Sequence, residues 1–445
     1  MAEPAGPAAR GLARTLARAR PLLLLLVTAL AMLAGCQEQA RNDDGVIRFV
    51  TWKPNQPRVW QEIYRRFSQE HPGLRVRPEV GPHSSTALHD LLTQKLKNQS
   101  PEVDVFLMDV TWPPEFGSAG WALALDQYFP PQERRLFLEG AILANTYQGH
   151  IYGVPLYVDS GLLYYRQDLL AAHGLKPPGT WPELASQAAL IVNDQAGQGR
   201  ALVGYSGQFQ QYEGLVCDML EFVHGHGGHV LGQGDGACCL GQPAALAAVG
   251  FVRDQIIGLA APRGVLTYQE PESLALFAQG RAVFLRSWPY AWALLADARQ
   301  SRVAGRVGIA PLPRFDQGAS VATLGGWQVG ISPFSPRRRA AWQFVRFLTS
   351  PAIQKLLAVE AAWAPTRRAL YDDPQVLAAQ PQLAAMRQVF ADARPRPRSP
   401  LYPAISNALQ RYFHKAICDP RSDIPGLASQ ACREINGLTA LAGAK

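Results

Sequence analysis

The stretch VIRFVTW at residues 46–52, with the four segments that follow it, decides the fold. Valine, isoleucine and phenylalanine dominate it, as they do in a strand buried on both faces. RVWQEIYRRFSQE at 58–70 then sets Trp60, Ile63, Tyr64 and Phe67 at helical spacing on one face. LRVRPEV at 74–80 alternates as a second strand, TALHDLLTQKL at 86–96 reads as a helix, and VDVFLM at 103–108 as a buried strand. A β-α-β-α-β order calls for a parallel-type sheet covered by helices, so the chain opens on an α/β domain.

The pattern resumes further on. Residues 162–165 read as a strand and 167–172 as a helix stopped by Gly174, Pro177 and Pro178. Thr180 caps a helix beginning at Trp181, with Pro182 at an early helical position. Asp235-Gly236 marks a hairpin. Residues 305–313 and 322–332 are strands; 337–348 and 405–417 are helices, the first with Trp342 and Val345 inward. At 445 residues the chain exceeds what one hydrophobic core usually serves, so two lobes are expected.

At the N-terminus Arg10, Arg14, Arg18 and Arg20 precede an apolar run over 22–33 that ends in Leu33-Ala34-Gly35-Cys36. Basic residues, a short apolar run and small residues at the cut make a secretory signal over 1–35. The run is too short to span a bilayer comfortably. Leu-Ala-Gly before a cysteine resembles the bacterial lipobox, in which the Cys36 thiol receives a lipid before cleavage; the alternative is a plain signal peptide. Polar residues over 36–45 then read as a flexible tether.

The formal net charge is +8, of which three lie within the first 35 residues. The remainder is dispersed, with no basic stripe interleaved by aromatics, so no nucleic-acid partner is expected. Of the other cysteines, Cys418 and Cys432 flank a loop between two helical stretches and are expected to form a disulfide in an exported chain. Cys217 reads as a buried thiol, and at most one of the vicinal Cys238 and Cys239 can bridge a given neighbour. There is no C-x-x-C pair. Glycines interrupt His224, His226 and His229 where a helix should end, so no metal or other cofactor is expected.

Several motifs occur in order along the chain: FLMDV at 106–110, YVDSGLLYYR at 157–166, QYEGLVCD at 211–218, SWPYAW at 287–292, TLGGW at 323–327 and PRPRSPLYP at 395–403. Together they resemble the extracellular solute-binding proteins of ABC sugar importers, with the trehalose/maltose-binding branch as the nearest pattern. The resemblance runs from about residue 46 to the C-terminal helix. It implies a periplasmic-binding-protein-like α/β fold, two α/β lobes joined by hinge strands with a ligand cleft between them. The expected division is 46–156 plus 307–366 for the N-terminal lobe and 157–306 plus 367–445 for the C-terminal lobe.

The residue chemistry agrees with a sugar ligand. A pyranose has apolar C–H faces, which flat aromatic rings cover, and hydroxyl edges, which fixed carboxylates or guanidinium groups satisfy. Asp109 ends an apolar strand, at the carboxyl edge where α/β clefts bind ligands, although a helix cap would explain it too. Tyr157 and Asp159, two apart on an extended segment, project to one side, as a site pair or a hinge hydrogen-bond pair. Trp288 and Trp327 sit at strand ends beside Pro289 and Gly325-Gly326, where glycine admits a ligand close to the backbone; core packing is the alternative. Tyr290 is a further stacking candidate. Arg367 in WAPTR at 363–367 matches the family's sugar-contacting arginine, with a surface arginine as the alternative. Gln56 stands where the branch has an acid, and a branch arginine is replaced near Leu88-His89; Ser85, with His83 and Ser84, offers neutral partners at that rim. The resemblance implies a sugar of the trehalose or maltose class, and these departures from it leave room instead for sucrose or a smaller glycoside such as glucosylglycerol.

The implied protein is no enzyme but a monomeric, lipid-anchored carrier on the outer side of a bacterial membrane. It would close on a small sugar and deliver it to the permease subunits of an ABC importer. The competing readings are a sensory sugar-binding protein and a glycoside hydrolase. The latter needs two acids flanking one bond, and no further acid pair suggests itself.

Overall fold

The structure is a computed structural model that describes residues 45–232, 236–316, 318–381 and 383–443. The signal-like segment, Cys36 and Asp235 lie outside the described residues. Among the described residues the strands are β1 Val46–Thr51, β2 Arg75–Val80, β3 Val105–Asp109, β4 Thr146–Tyr147, β5 His150–Ile151, β6 Val154–Ser160, β7 Leu162–Arg166, β8 Val203–Ser206, β9 Ala282–Ser287, β10 Val307–Ala310, β11 Leu324–Ile331 and β12 Ala364–Pro365.

They build two main sheets. The first has the order β12-β6-β11-β3-β1-β2, with β1 parallel to β2 and β3, and β11 antiparallel to β3 and β6. The second has the order β10-β7-β9-β8. β1 and β3 are the apolar runs that opened the reading, and Ile47, Phe49, Phe106 and Leu107 are fully buried. Each such side chain contributes about 1.5–3 kcal/mol relative to exposure. The helix Pro57–Glu70 turns Trp60, Ile63 and Phe67 into the same core. A second core forms around the helices Trp181–Gly197, Glu213–Gly225 and Tyr402–Cys418. Thr180 caps the first of these, its hydroxyl accepting from the Glu183 amide. Among the described residues no helix is long and apolar enough to cross a membrane.

The lobes exchange chain at defined points. Ser160 pairs with Leu324 in the first sheet, and Leu162 with Ser287 in the second, so the first crossing falls at Gly161. Ala322 belongs to the second core and Leu324 to β11, so the chain returns at Thr323. A third passage runs near Arg394, which pairs with Thr323. The expected boundaries at 156/157 and 306/307 therefore move. β6 stays whole in the first sheet, and β10 pairs antiparallel with β7 in the second. An apolar run reads alike whichever sheet its backbone joins. Part of the segment after 366 also stays with the first lobe, where Tyr371, Val376 and Leu383 pack with Val158 and Ala364.

The cysteine pairing differs too. The disulfide joins Cys238 to Cys432, with Cα atoms 5.1 Å apart, and Cys418 is free beside His414. Cys418 ends one helix, whereas Cys432 lies eight residues into the helix Ile424–Gly443. Eight residues at 1.5 Å rise displace it by roughly 12 Å along the axis, and disulfide Cα atoms are usually no more than about 7 Å apart.

Candidate functional site

Where the lobes meet, their side chains enclose a cleft of about 840 Å³, its open mouth included. The first lobe lines it with Trp52, Asn55, Asp109, Tyr157, Asp159 and Trp327; the second contributes Glu213, Glu270, Trp288, Tyr290 and Arg396.

Backbone geometry aims these groups. Asp109 is the last residue of β3, so it emerges at the carboxyl edge of the sheet. Tyr157 and Asp159 alternate with buried Val158 along β6, and both line the cleft. Gly326 has φ +129°, and a Cβ there would lie 2.6 Å from the Tyr157 carbonyl oxygen, so glycine is required. β11 then slips register between Trp327 and Gln328. The Trp327 ring meets Trp52 and Trp112 edge-on, at centroid distances of 6.2 and 5.6 Å. The helix Pro351–Ala361 ends on Ala362 in the left-handed conformation (φ 54°), and Trp363 after it lies over Tyr157 at 4.2 Å. On the opposite wall, Trp288 follows directly from β9. Its Nε1 donates to Glu270 Oε1 at 3.3 Å, and the Arg286 guanidinium carbon sits 4.0 Å from its ring centroid.

Most charges in the cleft are satisfied within the protein, and the Arg396–Asp109 pair crosses between the lobes. Arg396 donates to Glu213 Oε1 at 2.7 Å and to Asp109 Oδ2 at 3.1 Å. Tyr402 and Ser406 hydroxyls also donate to Glu213. The other Asp109 oxygen accepts from the Thr111 amide and hydroxyl, at 3.0 and 2.7 Å. Asp109 is thus both a local turn acceptor and a cleft residue.

Asp159 is different. It is only 7% exposed, and its Oδ1 has no hydrogen-bond partner within the protein. Burial raises its pKa well above the usual carboxylate range; Arg286 opposes the shift, and Asp109 and Glu270 add to it. Arg396 Nε is likewise buried without a partner. With Trp52 Nε1, three such atoms belong to the cleft residues, and a hydroxyl-rich ligand could satisfy them, because buried polar groups rarely go unpaired.

Asp109, Tyr157, Asp159, Ser85, Trp288, Tyr290, Gly326 and Trp327 are therefore brought together. Two expected residues are not. Arg367 donates from Nε to the Thr349 carbonyl at 2.7 Å and lays its guanidinium over Phe137 at 4.4 Å, outside the cleft lining. Gln56 lines a small adjoining cavity with Asn55, Tyr290 and Trp363. His89, at the replaced arginine, pairs with Glu115 at 2.6 Å and borders a different side cavity.

Sequence reasoning also passed over Glu213, Glu270, Arg396, Trp52 and Trp363 as site residues. The available signal was positional for two of them: Arg396 lies between two prolines, and Glu213 is the first residue of the helix Glu213–Gly225.

The pattern of the bacterial extracellular solute-binding protein family matches residues 53–355. A probable ABC transporter-binding protein of Deinococcus radiodurans is 35% identical over 350 residues, 78% of this chain and 82% of that one. The maltose-bound MalE3 of T. maritima superposes with a TM-score of 0.81 at 36% identity, covering 89% of this chain and 99% of that one. The maltotriose-bound maltotriose-binding protein of Thermus thermophilus shares the fold, with a TM-score of 0.74 at 19% identity over 88% of this chain and 99% of that one.

Proposed function

We propose that this chain, which belongs to the bacterial extracellular solute-binding protein family, captures one small sugar between its lobes and delivers it to the permease subunits of an ABC importer. The observation that carries the reading is the pairing of Asp159 and Arg396, each with an unpartnered buried polar atom, with the rings of Trp288 and Trp327 in one cleft. Carboxylate and guanidinium accept and donate to hydroxyls, while the rings cover a pyranose face. The maltose-bound relative favours a glucose-containing disaccharide or small glycoside, among maltose, trehalose, sucrose and glucosylglycerol.

Mechanically, the reading is hinge closure at the crossings near Gly161, Thr323 and Arg394. Closing excludes water from the cleft, which strengthens each polar contact, and brings the lobes into the relation a permease can recognise. Hydrolysis fits less well, because Asp109 is committed to Arg396 and Thr111 rather than free to act on a glycosidic bond.

A thermal-shift series tests the ligand class. A sugar bound at 100 times its Kd adds about 2.7 kcal/mol of apparent stability. At least one member of the four-sugar series should raise the melting temperature by several degrees; no shift with any of them refutes the sugar reading.

Leu33-Ala34-Gly35-Cys36 supports a lipid anchor as part of the same proposal. Cys36→Ser should move the protein from the membrane fraction to the soluble exported fraction; unchanged fractionation refutes the anchor.

A further inference from the structure

Beneath Trp288 lies a charged cluster that touches no ligand-facing space of its own. Arg286 is 0% exposed. Its Nε and Nη2 donate to Glu221 at 2.9 and 2.5 Å, its Nη1 to Gln208 Oε1 at 3.2 Å, and Asp218 Oδ1 lies 3.1 Å from Nε. The guanidinium plane is therefore held on several sides, and the Trp288 ring rests on it at 4.0 Å. Arginine alone offers a flat, permanently charged surface that stacks on a ring while its edge engages a carboxylate in two places.

Glu221 reaches the hinge from the same position. Its Oε1 accepts from the Thr323 amide at 3.2 Å, at the point where the chain returns to the first lobe. At the other crossing, a Cβ on Gly161 would lie 2.0 Å from Glu221 Oε1 and 2.8 Å from Arg286 Nη2. The backbone at Gly161 thus runs against the ion pair, with no room for a side chain.

We infer that Arg286 and Glu221 form a buried brace that fixes the Trp288 ring and ties it to two of the lobe crossings, which makes Arg286 a positioning residue for ligand binding. The inference rests on the reading of Trp288 as a sugar platform. Where the ring is held in its binding orientation before the ligand arrives, less ordering is left to the binding step. A ligand pressing on Trp288 acts, through the brace, on the backbone about which the lobes turn.

A double-mutant cycle on the full chain tests it, with calorimetric titration of the tightest binder among maltose, trehalose, sucrose and glucosylglycerol. Arg286→Lys keeps the charge but cannot both stack and bind Glu221 bidentately. It should lower affinity about tenfold in the native background, and by less than about twofold when Trp288 is already alanine. An unchanged affinity, or an equal loss in both backgrounds, overturns the brace, because a merely structural effect would not depend on Trp288. Failure of Trp288→Ala itself to weaken binding would instead remove the platform reading beneath it. Should Arg286→Lys not fold by its melting curve, Glu221→Gln carries the same cycle with the same two outcomes.

Discussion

Replacing Trp288 with alanine is expected to lower sugar affinity by roughly 30- to 1,000-fold, the range that a loss of about 2–4 kcal/mol at an aromatic anchor corresponds to. The ring has one face on Arg286 and its Nε1 on Glu270, so it is immobilised before any ligand arrives. Trp327→Ala should cost affinity on a similar scale from the other wall. Its ring also packs edge-on against Trp52 and Trp112, so that variant should lose some thermal stability as well. Trp288 has fewer packing partners of that kind, which makes it the cleaner probe. Titration calorimetry with melting curves on both variants checks the result; unchanged affinity in both removes the aromatic walls from the account.

Asp159→Asn should move stability and binding in opposite directions. Burial raises the Asp159 pKa, so the folded state holds this proton more tightly than the unfolded chain does. Above the unfolded value of about 4, the ionised carboxylate therefore opposes folding, and the opposition grows until the pH passes the folded pKa. Asparagine removes that cost. The sugar-free variant should melt at a higher temperature than the native protein at neutral pH, and the advantage should vanish as the pH falls below about 4. Sugar affinity should drop about tenfold or more, because a neutral amide replaces a charged acceptor. For the same reason, native affinity should weaken as acid titrates Asp159, beginning above the ordinary carboxylate range. A variant that melts lower and binds equally well contradicts this assignment.

What could be read without coordinates was whatever local pattern controls. The run from β1 to β3 announced its sheet because buried strands and amphipathic helices leave distinct periodicities. Tyr157 and Asp159 shared a side because alternation along a strand leaves no choice. Gly326 reads in the sequence as a place where a ligand can approach the backbone, whereas the close neighbour that requires glycine there is the Tyr157 carbonyl of the paired strand. What escaped depends on distance along the chain. Arg396 meets Asp109 across 287 positions, and Cys238 meets Cys432 across 194. Neither pairing leaves a local trace, so the family resemblance points to Arg367 instead, and nearness along the chain points to Cys418 as the partner of Cys432. β10 was misassigned for a related reason: its partner, β7, is chosen by backbone pairing rather than by its own composition.

The central claim is most directly tested by a crystal structure of the protein grown with the tightest-binding sugar of the series. The account predicts one sugar in the cleft, with a ring face on Trp288 or Trp327 and hydroxyls within hydrogen-bond distance of Asp159 and Arg396. Sugar density on another surface, or in the cleft without contact to any of these four residues, would contradict it.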